Sequence, residues 1–203
     1  MLELTLLQAM RLKGRLSADA AAACVGMSAD DTRSALDRLV AEGHAAVAGA
    51  AFRLAPGGRE RLAALLDEER AAVDQEALTR AYADFDEINT DLKNLITAWQ
   101  LRDPGTPNDH SDAAYDAEVL DRLAALHERF TPLLDRVAAA AARLAPYRTR
   151  FGTAIDKVRA GDHTFVARPI ADSYHTVWFE LHEELIGLLG RTRAEEAAAG
   201  RAV

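Results

Sequence analysis

The sequence predicts a mainly α-helical protein in two parts, a three-helix unit closed by a small β-hairpin within residues 1–66 and an all-α domain over residues 67–203. Three observations predict it. Apolar residues recur at three- and four-residue steps through most of the chain, the period of a half-buried helix. Glycine, proline and short polar residues punctuate those segments and mark turns and caps. A single stretch, HAAVAGAAFRL, suits a pair of short strands.

Length and composition bound the reading further. With 203 residues, 49% of them apolar, the chain can bury one large or two small cores, so disorder is excluded as the whole account. The lone Cys24 excludes an internal disulfide framework and a cysteine-rich zinc module, and points to a reducing compartment. The N-terminus lacks a cationic leader and a cleavage pattern, and the expected location is cytoplasmic. The net charge of −8 is uneven. Residues 1–62 hold eight basic groups against seven acidic ones, a sum of +1, which leaves −9 for the rest. Such acidity argues against non-specific coating of nucleic acid, because each phosphate contact needs a basic side chain. It leaves room for a small reading module on an acidic body.

Leu4, Leu7, Met10 and Leu12 give a first helix that ends near Gly14. Ser17 caps a second, alanine-rich helix from Ala18 to about Val25, whose small side chains allow close packing. After the Gly26-Met27 turn, Ser28 caps a third helix with Asp30 and Asp31 in its first turn, where the helix dipole favours anions. Thr32, Ala35, Leu36, Leu39 and Val40 place one face of that helix in a core, and Gly43 ends it. Strands are predicted at His44–Val47 and Ala51–Leu54, and Pro56-Gly57-Gly58 is read as a break before the next helix.

That order is the winged helix-turn-helix. SADDTRSALDRLVAEGHAAV followed by FRLAPGGRERL resembles the recognition helix, wing and post-wing helix of MarR- and PadR-type regulators, over roughly the first third of the chain. The resemblance implies a recognition helix in the major groove of double-stranded DNA and a wing on the backbone. It places Arg33, Ser34 and Arg38 toward DNA, with Arg53 in the wing. Arginine suits bidentate reading of guanine or clamping of phosphate. Asp30, Asp31 and Asp37 lie on or beside the same face, so docking onto a protein partner stands as the alternative.

In the second part, a helix starting at Leu62–Leu66 runs through DEERAAVDQEAL, and another covers about Leu78–Leu101 with a seam of Leu78, Ala81, Phe85, Ile88, Leu92, Leu95 and Trp99. After the loop RDPGTPNDHSD, a third begins near Ala113 and includes Pro132, which should kink it. A helix is expected over Tyr147–Arg159 and another from about Pro169 to Leu189, with a tail that frays. The apolar seam and acidic faces suit a homodimer, the usual form in which such modules address two half-sites.

SYHTVWFELHEEL is the most informative segment. Tyr174, Trp178, Leu181, Leu185 and Leu188 make one stripe, and His175, Phe179, His182 and Ile186 an adjoining one, with Glu180, Glu183, Glu184 and Gly187 outside. Polar groups entering an apolar face need partners. One reading is a ligand pocket with walls from Trp99, Trp178, Tyr174, Phe85 and Phe179, in which Asn89, Lys93, His175, His182 and Arg168 hold a small polar effector. The other is a structural network that bonds the histidines to neighbouring helices.

Metal chelation by His175 and His182 is disfavoured, since seven residues separate them by about 10 Å along a helix. Asp109, His110, Asp112, Asp116, Asp162 and His163 include metal-ligating types, yet NDHSD also reads as a loop-to-helix cap. His127 and Glu128 read as surface residues, as do Glu183 and Glu184. Gly57-Gly58 lacks the Lys-Ser/Thr of a phosphate cradle, no G-x-S-x-G elbow occurs, and Cys24 reads as inert packing. No residue set proposes a reaction, so the expectation is a non-enzyme without cofactor.

Overall fold

The computed structural model describes residues 1–192, which are mainly helical with two small antiparallel hairpins. No helix among them is long and apolar enough to cross a membrane. The expected fraying of the tail concerns residues outside that range. The chain divides into two units between Val73 and Asp74, the second of which also takes in the residues from Arg191 on, while Gly187–Gly190 are grouped with the first.

In the first unit, α1 (Leu2–Lys13), α2 (Ala18–Val25) and α3 (Ala29–Ala41) form in the predicted places. Ser17 and Ser28 accept hydrogen bonds from the amides of Ala20 and Asp31, which satisfies donors that a helix start leaves open. Gly26 closes α2 in the left-handed conformation at φ 68°, which costs glycine nothing. Leu6, Leu7, Met10, Leu16, Leu36, Leu39, Phe52 and Leu62 meet in one apolar core. Strands β1 (Ala45–Ala48) and β2 (Ala51–Leu54) pair around a two-residue Gly49-Ala50 turn. Gly49 has φ 69° and Ala50 stays at negative φ, so the turn suits the right-handed twist of the strands. Leu16 adds a third rung: its amide and carbonyl exchange hydrogen bonds of 2.9 and 2.8 Å with Phe52.

The predicted break at Pro56-Gly57-Gly58 is corrected. These residues are the first turn of α4 (Pro56–Ala72), with the proline where its missing N–H is harmless. Gly58 is buried against the His44 carbonyl, which explains the second glycine as close packing rather than punctuation. Arg61 of α4 donates to both carboxylate oxygens of Glu3 in α1, at 2.9 and 2.8 Å.

Asp74 then caps α5 (Gln75–Gln100), the first element of the second unit. It is followed by α6 (Ala113–Ala140), α7 (Pro146–Arg159) and α8 (Tyr174–Leu188). Successive ion pairs show the directions. Asp91–Arg129 and Asp84–Arg136 run α6 antiparallel to α5, and Asp135–Arg148 and Glu128–Arg159 run α7 antiparallel to α6. Each of these helices sends at least one large ring inward. Phe85, Phe130 and Trp178 lie within 6.2 Å of one another between centroids, and Phe151 is 5.1 Å from Phe130. Ile88, expected in the α5 seam, is only half-buried, whereas Tyr82 and Asn89 are buried. The straight helix drifts off a strict 3-4 spacing, and the inward face rotates with it.

Three further expectations are corrected. The body is not entirely α, because β3 (Leu101–Asp103) and β4 (Thr106–Pro107) form a minimal hairpin. Pro104 fixes its own φ and Gly105 adopts φ 85°, the pair that a tight turn requires. The last helix begins at Tyr174, not Pro169, because Ile170 takes φ 65° and Ser173 supplies the cap by accepting from the Thr176 amide. Glu180 and Glu184 are buried rather than outside. Arg143 donates to both oxygens of Glu184 at 2.8 and 2.7 Å, and Arg150 bridges Glu180 at 2.6 Å and Asp172 at 3.0 Å.

Candidate functional site

The residues singled out from the sequence fall in both units. On α3, Thr32, Ala35, Leu36 and Leu39 face the core, which leaves Arg33, Ser34, Asp37 and Arg38 exposed on the other side. Arg33 is ion-paired with Asp37 at 3.2 Å and its guanidinium lies 5.3 Å from the centre of the Phe52 ring. Ser34 donates to the Asp30 carbonyl, a local helix bond. Arg38 has no ion pair among the described residues. Arg53 projects from the middle of β2 opposite Ala46, away from the hairpin tip. The exposed face thus offers a committed arginine, Arg33, and two arginines, Arg38 and Arg53, available to a partner.

In the second unit, the residues expected to share one pocket separate into two groups. Asn89, Tyr174, Trp178 and His182 are packed in the core and satisfy polar partners there. The Trp178 indole N–H donates to Asn89 Oδ1 at 2.9 Å. Tyr82 Oη lies 3.1 Å from His182 Nε2, and Tyr174 Oη lies 3.2 Å from His127 Nδ1. His127 is therefore part of the interior network, which corrects its reading as a surface residue. Lys93 and His175 are half-buried. Periodicity identified the buried stripe correctly, but it could not show that the polar groups there would find one another.

Trp99 and Arg168 form the other group. Together with Gln100, Asn108, His110, His163, Thr164 and Ala167, they line a cavity of about 540 Å³. Asn108 and His110 of the RDPGTPNDHSD loop contribute to it. Asn108 is buried, and its amide nitrogen donates to the Trp99 carbonyl at 3.1 Å and to Asp116 Oδ1 at 2.9 Å. Both amide protons are then used, so the 3.2 Å approach of Asn108 Nδ2 to His110 Nδ1 is a contact and not a third donation. His110 Nδ1 carries its own proton and donates to Asp116 Oδ2 at 2.9 Å. Nε2 is the imidazole nitrogen left for the cavity. His110 adopts φ 58° and its ring lies 4.4 Å from Trp99, between centroids. His163 approaches Trp99 edge-on at 6.1 Å. Among the acids of metal-ligating type, Asp162 accepts from the Thr164 hydroxyl, Asp112 caps α6 and pairs with Arg102, and Asp109 accepts from Ser111; the last two are held by several bonds. These bonds hold both carboxyls below the usual carboxylate range.

Sequence reasoning named Trp99 and Arg168 but not Asn108 or the His110–Asp116 pair as one construction. The signal is the spacing Asn108, His110, Asp116 across a loop-to-helix junction, which the sequence offers equally as a cap or as a set of metal-ligating types. Among the described residues, Glu3, Glu42 and His44 also bring ligand-type atoms within 4.8 Å of one another. Arg61 already occupies both oxygens of Glu3 and holds its carboxyl below the ordinary value, so the group is explained as an ion-pair network.

Burial holds the His127 and His175 imidazoles below their ordinary value of 6.5. An unfolded chain then binds more protons than the folded one just below that value. The contribution to stability is complete above 6.5 and is lost as the pH falls from there toward the folded-state values. The melting temperature is therefore expected to fall between about pH 7 and pH 5.5, with a shallower slope in His127→Gln. Equal melting temperatures at both ends of that window in the parent protein would contradict the assignment. The lowered carboxyls Glu3, Asp109 and Asp112 act in a separate, more acidic window, because their stabilisation is present above the carboxylate range and disappears below it.

Compared with protein-family models, with curated proteins and with solved structures, the chain shows no significant match.

Proposed function

We propose that the chain is a DNA-binding transcriptional regulator of winged-helix type, acting as a dimer, with a small effector taken by its helical unit. The observation that carries the reading is the exposure of Arg33, Ser34 and Arg38 on the outer side of α3, the second helix of a helix-turn-helix pair whose inner side is buried. The hairpin that follows, with Leu16 as its extra rung, supports the wing of the same module. A dimer is the form in which such a module meets two half-sites.

Fragment selection on genomic DNA with the full chain tests this directly. Bound fragments should be released as salt rises, because phosphate contacts displace counterions. Arg38→Ala should weaken binding about tenfold, within the range for one base or phosphate contact, and Arg33→Ala should do less because Asp37 already shares that guanidinium. No retention at low salt would remove the reading. A second reading, docking of α3 onto a protein partner, draws on the Arg33–Asp37 pair and on Asp30 and Asp31 at the helix start. It predicts no DNA retention at any salt concentration.

A further inference from the structure

The cavity beside Trp99 has a consistent chemical character. Its lining residues contribute Arg168, two imidazoles, the Gln100 amide, the Thr164 hydroxyl and the surfaces of Trp99 and Ala167, and no carboxylate. Two acids border it: Asp116 is turned to Nδ1 of His110 and occupied there and by Asn108, and Asp162 accepts from the Thr164 hydroxyl at 2.5 Å. Arg168 is exposed, contributes to the lining and has no ion pair among the described residues. Its backbone is fixed on both sides, with the amide donating to the Thr164 carbonyl at 2.9 Å and the carbonyl accepting from Thr176 Oγ1 at 3.3 Å. The wall is also fixed, since Asn108 ties the end of α5 to the start of α6 through Trp99 and Asp116.

We propose that this cavity binds a small organic anion. The acidic group is held by Arg168, and the apolar part lies against Trp99 and Ala167, with the His110 ring beside it. A volume of about 540 Å³ fits a ligand of one or two rings. The shared chemistry is an anionic oxygen group, carried by a carboxylate or a phosphate monoester. The proposal rests on the reading of the helical unit as an effector domain and gives that effector a place and a class.

Three probes with the same ring and different heads test it: benzoate, phenyl phosphate and benzyl alcohol. Binding is read in the full chain without DNA, so the result is independent of any failure in DNA retention. Trp178→Phe leaves Trp99 as the one indole, and its fluorescence then reports the cavity. At least one of the anions should change that signal saturably, with benzyl alcohol at least about tenfold weaker, as expected from losing a charge-assisted contact. Whichever anion saturates identifies the head group. Arg168→Ala, at an exposed position, should weaken the anion about tenfold and keep the fold, as checked by circular dichroism. Saturable perturbation of the His110 Nε2 resonance, measured by imidazole nitrogen NMR in the parent protein, gives a second readout that does not depend on the tryptophan variant. Equal binding of the alcohol, an unchanged affinity in Arg168→Ala, or a His110 resonance unmoved by either anion would each overturn the proposal.

Discussion

Replacing Arg143 by methionine is expected to lower the unfolding free energy of the second unit by about 3–5 kcal/mol, the usual loss when one member of a buried ion pair is removed. The side chains of Arg143 and Glu184 are 2% and 4% exposed, so solvent screens the pair very little. Their two parallel hydrogen bonds satisfy the carboxylate with nearly ideal geometry. Methionine fills much of the same space but removes both guanidinium donors from the buried Glu184. Most of the cost is the buried carboxylate that loses this pairing, not the attraction lost. The double variant Arg143→Met/Glu184→Met should therefore regain most of the stability, since apolar groups of similar shape often replace a buried pair without penalty. Urea unfolding followed by tryptophan fluorescence measures this cleanly, because Trp99 and Trp178 both belong to the second unit. A loss under about 1 kcal/mol for the single variant would show that water reaches Glu184.

Gly58→Ala is the corresponding prediction for the first unit. A Cβ built there would fall 1.9 Å from the His44 carbonyl oxygen, 2.8 Å from its carbon and 3.1 Å from Leu54 Cδ1. The carbonyl is held in place, because it accepts from the Ala55 amide at 3.0 Å. The start of α4 must move away from the hairpin, at a cost of about 3 kcal/mol or more, the upper end of overpacking effects. Gly152→Ala provides the contrast. It lies inside α7 with nothing within 4 Å of its Cβ, and the same change should stabilise that helix by about 0.5–1 kcal/mol. Since the first unit contains no tryptophan, Gly58→Ala should separate an early circular-dichroism transition from an unshifted fluorescence transition. Coincident, unshifted transitions would mean that the close approach is relieved without cost.

The helices of the first unit and the strand pair were legible because each signal there is local. Ser17, Ser28, Gly26 and Gly49 act on residues one to four positions away, and their sequence spacing is enough to place them. Gly58 was misread for the opposite reason, since its role is set by a carbonyl fourteen positions earlier. The long helices of the second unit were equally visible, but the partners of their polar residues were not. Glu180 and Glu184 fall on the helix side that propensity assigns to solvent, and only Arg150 and Arg143, some thirty to forty positions earlier, make burial affordable there. The cavity was half legible. Trp99 and Arg168 were named for their chemistry, whereas Asn108, His110 and Asp116 lay in a segment that a helix cap explained sufficiently.

Glu180 and Glu184 are four residues apart on one helix, and their arginines are different residues at different heights. Sliding α8 by one turn would carry one carboxylate into the other's socket and take from the second buried guanidinium the glutamate that pairs with it. The mismatch would cost several kcal/mol, far more than the small change in apolar contact that accompanies such a slip. The two pairs therefore work as an index, admitting the last helix at a single axial setting that a uniformly greasy face would leave degenerate.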